Sequence, residues 1–364
     1  MQEKTAQYSL FVPKWATDDG PANDVAISTR ARLARNIEGI PFPVCAQEAD
    51  LKRVADLVLS TISTGNDQLW FSRLAGKFKV VTPSQFSSTS ARLALIDAHV
   101  ASRQHVAGGK HCFIVLDDAG SVSLMVNEED HLRIQCILPG FQPMTTLQIA
   151  REFDTLLSRK IKYAQTDNYG YLTSSLANVG TGLRMSVMLH LPGLAYLDEA
   201  ITLLTAAAEL KVSVRGLLGE GTKALGDVYQ VSNETTIGFT EREITSRIRA
   251  VAEHLISRER EARRFLAAKK SGDVHDAAQK AWAELTQARA LGGEQAMSHL
   301  SSLRLADALG LSPGISVKEF KKFLISMRLG SSASSDESET SSLARSEDGA
   351  RRAKLVRDAL LGVK

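Results

Sequence analysis

The sequence predicts an α+β fold: an antiparallel sheet flanked by helices, followed by an all-helical C-terminal region. Two observations predict it. Up to about residue 265, apolar runs that alternate at period two are interleaved with runs at helical spacing. Beyond that point three successive segments read as helices, with no strand pattern among them. The chain has 364 residues, 44% hydrophobic and 23% charged, enough for two domains or for one large domain with an extension.

Taken in order, residues 24–36, DVAISTRARLARN, read as a short strand followed by a basic loop or helix start. Residues 47–62 and 90–104 have apolar positions at helical spacing. HCFIVLDD and SVSLMVN flank Asp118, Ala119 and Gly120, a hairpin pattern, and RIQCILPG reads as the next strand. Residues 144–163 form an amphipathic helix. LRMSVMLHLP alternates as a strand does, 195–210 is helical, and KVSVRG and DVYQVSN are strands. Thr240 and Glu243 make a capping box that opens a long helix over about 241–269. Segments 274–290, 294–310 and 316–328 are helical. Residues 330–348 are Ser-rich and acidic, as in a flexible linker, and RRAKLVRDALL is a short basic helix. The expected division is therefore 1–265, 266–329, a linker over 330–348, and a final helix over 349–364. No internal repeat is visible.

Bulk properties narrow the function classes. A net charge of +3 is too small to argue for nucleic acid. Cys45, Cys112 and Cys136 have neither metal-ligand spacing nor the makings of a disulfide framework, so a reducing cytoplasm is expected. No targeting segment and no bilayer-length apolar run is expected either.

The unusual chemistry begins at Asn127–Gln135, NEEDHLRIQ, where three acids, a histidine and an arginine follow an alternating apolar run. Acids have poor strand propensity and adjacent carboxylates repel, so a solvated loop is the plain reading of this stretch alone. The rest of the chain supplies complementary arginines: Arg30, Arg32 and Arg35 in STRARLAR, then Arg133, Arg184 and Arg215, several at strand ends or beside glycines. Guanidinium groups clamp phosphate oxygens bidentately and stay charged, which suits a triphosphate. A phosphate-binding lysine loop is not evident, since GGKH at 108–111 fails its last position, and no protein-kinase H-R-D or D-F-G set is present. An arginine cage is the remaining way to hold ATP.

STRARLARN, NEEDHLRIQ, YLTSSLANVGTGLR, MLHLP and RGLLGEG followed by VYQVSN together resemble the ATP:guanido phosphotransferase family of creatine and arginine kinases. The resemblance spans about residues 24–260, and HLSSLRLADALGL is similar to a segment of the bacterial protein-arginine kinase branch. The animal members carry a helical domain before the catalytic part. This chain instead has a helical tail, which favours the protein-directed branch. The resemblance implies that Arg30, Arg32, Arg133, Arg184 and Arg215 hold nucleotide phosphates, with His99 beside the adenine. It implies that Glu129 orients the substrate guanidinium and takes its proton. Glu220 would be the second carboxylate, on a loop hinged by Gly216, Gly219 and Gly221. ATP and a Mg²⁺ ion held through its phosphates are the implied cofactors.

Implied partners are proteins with exposed arginines, a zinc-binding activator, components of the Clp protease and a homodimer through the C-terminal helices; no nucleic acid and no membrane is expected. The expected activity is transfer of the ATP γ-phosphoryl group to protein arginine, within protein quality control. The alternatives are a kinase for free arginine or a related guanidino compound, and a non-catalytic module that binds phosphoarginine proteins or partners. Departures from the family pattern are Ser175, Leu176 and Ala177 where cysteine, proline and threonine are usual, and Lys223 in place of an acid. A C-terminal arginine-and-aspartate motif is altered over Asp348–Ala353.

Overall fold

A computed structural model describes residues 12–63, 78–83, 89–216, 224–326 and 342–362. Its centre is an eight-stranded sheet in the order β2-β3-β4-β5-β1-β8-β10-β9, with every neighbouring pair antiparallel. The strands are β1 (Ala26–Arg35), β2 (Phe78–Val81), β3 (Phe113–Asp117), β4 (Val122–Val126), β5 (Leu132–Pro139), β8 (Leu183–His190), β9 (Val212–Gly216) and β10 (Val228–Asn233). Between β5 and β8, β6 (Gln165–Thr166) and β7 (Gly170–Tyr171) pair as a small separate hairpin.

Strand parity divides the sheet into two chemically different faces. Along β1, Ala31, Leu33 and Arg35 alternate with Arg30 and Arg32, so the two sets point to opposite sides. Ala31 and Leu33 join Leu124, Ile134, Cys136, Met185, Val187 and Val231 on the apolar face. That face is buried under α2 (Glu48–Ser63), α5 (Pro143–Ser158) and α8 (Glu241–Lys269), through Val54, Val58, Leu147, Phe153, Ile248 and Leu255 among others. Arg35 shares this inner side. It is fully buried, donates Nε and Nη2 to Asp154 Oδ2 at 3.2 and 2.8 Å, and lies 3.7 Å over the Tyr171 ring.

The other face is apolar only at its margins. α1 (Lys14–Thr17), α3 (Thr89–Asp97) and α4 (Arg103–Val106) bring Trp15, Ala98, Val100 and Val106 towards it, the last three packing on Ile114, Leu116 and Met125. Ile27, Ile137, Met188 and Val228, in one cluster with Trp15, are covered by the helices of the C-terminal region. These are α9 (Ser271–Gln287), α10 (Gly293–Ala308), α11 (Val317–Ser326) and α12 (Ser342–Leu360). The seam is also polar. Ser301 Oγ of α10 donates to Asp227 Oδ2 at 2.6 Å and lies 2.8 Å from His190 Nε2, which must therefore carry the proton. Both Ser301 and His190 are buried.

Several expectations need correction. STRARLARN is not a loop or helix start: it is the central strand, because Arg30 and Arg32 alternate with Ala31 and Leu33 at period two. The expected helix over 90–104 is two helices, α3 and α4, broken where His99 adopts a left-handed φ of 60°. The helix over 195–210 is likewise split into α6 (Pro192–Tyr196) and α7 (Ala200–Ala208), with Asp198 at φ 59° between them. The last helix begins at Ser342, inside the segment expected as linker. It continues to Ala353 and Val356, which are buried against the C-terminal core. The long helix α8 does cover 241–269, opened by the Thr240–Glu243 capping box. All three cysteines are free, and no helix among the described residues is long and apolar enough to cross a membrane.

Candidate active site

Cross-strand register gathers the arginines. Arg32 of β1 stands opposite Arg184 of β8 and Gln135 of β5. Arg30, two residues back, faces Ser186, which pairs in turn with Ser232. Arg133 on β5 pairs with Ala34, and Arg215 on β9 pairs with Gln230. Partners in register lie on one side of a sheet, so all five arginines share the polar face. Charge crowding there is severe. Burial first, then Arg30, Arg133 and Arg184, pull the Arg32 guanidinium well below its ordinary range. Arg184 is lowered by burial and then by Arg215 and Arg133, and its Nε is buried without a hydrogen-bond partner. Among the described residues neither Arg32 nor Arg184 pairs with a carboxylate. Guanidinium groups remain charged in proteins, so the crowding raises the positive potential of the face and makes it a place for a polyanion.

Arg133 is compensated by two carboxylates. Its Nη1 donates to Glu128 Oε1 at 2.8 Å, and its Nη2 lies 2.7 Å from Glu128 Oε2 and 3.0 Å from Glu129 Oε2. The Glu128 side chain is 2% exposed, whereas that of Glu129 is 33% exposed. One carboxylate is thus structural and the other is presented outward. The acidic stretch is not a solvated loop. It is a tight turn between β4 and β5, closed by Asn127 N donating to His131 O at 2.9 Å, with Asp130 and His131 fully buried. Asp130 Oδ1 accepts from Asn36 Nδ2 and Ser174 N, each at 2.7 Å. His131 Nδ1 accepts from Ile37 N at 3.0 Å, and burial lowers its pKa. Ser174 Oγ donates to Glu129 O at 2.7 Å, which brings Ser175, half-buried, next to the Glu129 backbone.

His99 reaches the same face from the break between α3 and α4. Its Nδ1 lies 3.5 Å from Arg30 Nη1, its carbonyl accepts from Gln135 Nε2 at 2.6 Å, and its ring meets Trp15 edge-on at 5.3 Å. Arg30 Nη2 donates to Gln230 Oε1 at 3.2 Å. Glu220 and Lys223, with Gly219 and Gly221, lie outside the described residues. Lys110 pairs with Glu48 on an exposed surface, and Arg352 donates to Leu291 O at 2.7 Å. The sequence reading missed Glu128, Gln135, Gln230 and Ser174. Parity would have found Gln135, two residues beyond Arg133 on one strand. Glu128 and Ser174 depend on the folded turn.

Residues 68–262 match the model of the ATP:guanido phosphotransferase C-terminal catalytic domain, and residues 271–364 match that of the protein-arginine kinase McsB C-terminal domain. A protein-arginine kinase of Pelotomaculum thermopropionicum is 38% identical over 86% of this chain and 87% of its own length. One from Caldanaerobacter subterraneus subsp. tengcongensis is 40% identical over 79% and 84%. Among solved structures, substrate-free duplicated taurocyamine kinase from Schistosoma mansoni is similar in fold, with a TM-score of 0.57 at 19% identity. The match covers 74% of this chain and 40% of that one. Lombricine kinase has a TM-score of 0.54 at 21% identity, covering 70% and 72%. The chain belongs to the ATP:guanido phosphotransferase family, in its protein-arginine kinase branch, and is an enzyme of that class.

Proposed function

We propose that this chain transfers the γ-phosphoryl group of ATP to the guanidinium of arginines in proteins. The observation that carries the reading is one sheet face on which five arginines converge beside a carboxylate, Glu129, already engaged with a guanidinium, that of Arg133, at 3.0 Å. Arg30, Arg32, Arg133, Arg184 and Arg215 would hold the triphosphate, with His99 towards the nucleoside. Glu129, with Glu220, would grip the substrate fork and aim one nitrogen at the γ-phosphorus.

The N–P bond forms as the bond from the γ-phosphorus to the bridging oxygen breaks, ADP departs with that electron pair, and the guanidinium proton passes to Glu129. Convergent arginines neutralise charge on the phosphoryl group in flight, which is where most of the acceleration in such transfers arises. Mg²⁺ fits as an ion carried by phosphate oxygens: the face offers guanidinium groups, and among the described residues no group of three or more His, Cys, Asp or Glu could ligate a metal. Bound there, it would neutralise phosphate charge. On the family resemblance we also propose a zinc-binding activator, Clp components and a second copy of the chain as partners, and the cytoplasm as location.

Incubation with γ-labelled ATP tests the reading. Acid-labile label on arginine in protein is the expected result. Label confined to free arginine would make this a small-molecule kinase, and no transfer to either would leave a binding module.

A further inference from the structure

The turn beside Ser175 carries a side chain with no role in the packing or the chemistry so far. Leu176 is 88% exposed, the most exposed large apolar side chain among the described residues. It opens the 3-10 turn Leu176–Asn178, two residues from the Ser174 hydroxyl that is tied to Glu129. The turn is braced from behind. Thr236 Oγ1 donates to Val179 O at 2.5 Å and lies 3.3 Å from Ala177 O. Gly180 runs so close to the 236–237 backbone that a Cβ there would stand 2.9 Å from Ile237 Cα. Tyr171 and Gly180 exchange backbone hydrogen bonds of 2.8 and 3.1 Å. The segments stitched together in this way carry two further exposed apolar side chains, Ile237 at 47% and Tyr169 at 56%.

A single exposed leucine is ordinary on a protein surface. This one is held outward by a braced backbone, two residues from the hydroxyl tied to Glu129. From Leu172 to Gly182 the chain has no ionisable side chain that would draw a charged group to this segment.

We propose that Leu176, supported by Ile237, is a substrate contact that receives an apolar side chain flanking the target arginine of a polypeptide. This rests on the proposed function, which makes Glu129 and Ser175 the guanidinium end. A free amino acid has nothing to place on the rim. In a polypeptide the neighbouring residues stand only about 3.3 Å away along an extended chain, close enough to be carried there with the arginine. Burying one apolar side chain against another is then the available source of preference.

The test uses the whole protein, γ-labelled ATP and two peptides with one arginine each, flanked by leucine in one and serine in the other. The leucine peptide should have a kcat/KM about tenfold higher, or about 1.4 kcal/mol, with the difference in KM. Leu176→Ser should bring the ratio close to one by raising KM for the leucine peptide alone, leaving turnover of the serine peptide unchanged. Equal kcat/KM in the unaltered protein would overturn the inference, as would a preference that survives Leu176→Ser combined with Ile237→Ser. Label on free arginine but on neither peptide would overturn the proposed function itself, and this inference with it.

Discussion

Glu129 and Glu128 are adjacent acids with opposite fates: one is sealed around Arg133, the other is turned outward beside it. If Glu129 is the proton acceptor, Glu129→Gln keeps nucleotide binding and lowers turnover at least about a hundredfold, checked by steady-state kinetics beside nucleotide titration. Arg184→Lys keeps the charge and loses the fork, so nucleotide binding weakens or transfer slows. Lys110→Ala, which removes only a surface pair with Glu48, leaves both unchanged. The reverse pattern would put the nucleotide elsewhere. If Ser175 faces the substrate guanidinium, Ser175→Cys would set a thiol beside the incoming cation, a condition that favours the thiolate. The expected gain in transfer rate is about tenfold, one pKa unit's worth of energy. New sensitivity to alkylating reagents, blocked by ATP with substrate, is the second readout; an inert thiol and an unchanged rate would remove Ser175 from the site. At this scale the sequence was legible through motif identity. The resemblance sets Arg32 but not Arg35 among the phosphate-holding arginines, and the physical reason appears only once the segment is known to be a strand and parity assigns a face.

Among the elements, the strands β3, β4, β5, β8, β9 and β10 follow from alternation, and the long helix α8 from its capping box. The departures have local causes. β1 was obscured because three arginines in a strand look like a basic loop until their partners in register are known. The break at His99 was obscured because its left-handed backbone is held by distant groups, Gln135 on the carbonyl and Trp15 against the ring. Helix α4 has a consequence for pH. His105 is 1% exposed, and burial pushes its pKa down from 6.5 to about 4. Between those values the unfolded chain takes up a proton that the folded chain refuses, so stability falls as pH falls. By pH 5 this one group should cost about 2 kcal/mol. His131 and His190, also lowered by burial, act in the same direction. Urea midpoints at pH 7 and pH 5 measure the slope, and His105→Phe should flatten it; an identical slope in that variant would relocate the effect.

For the molecule as a whole, the helical region that begins after α8 is both a cover and a partner. Ending the chain near residue 268 would uncover Ile27, Ile137, Met188 and Val228 together. The five arginines lie before the cut, so a soluble truncation should retain nucleotide affinity while unfolding at lower denaturant; a folded truncation with no affinity would contradict this division of labour. The sequence marked the change of character near residue 265, but not the contact across it, because the seam joins residues 74 and 111 apart in the chain. That seam bears on how freely such halves can be exchanged between relatives. The Ser301 hydroxyl serves two groups at once, the buried His190 imidazole and a half-buried Asp227 carboxyl whose pKa is raised by its partial burial. A graft that supplied an apolar residue at 301 would match in shape yet leave both groups without that partner. Recombination between homologues should therefore succeed only where the donor helix brings a hydroxyl to meet its host.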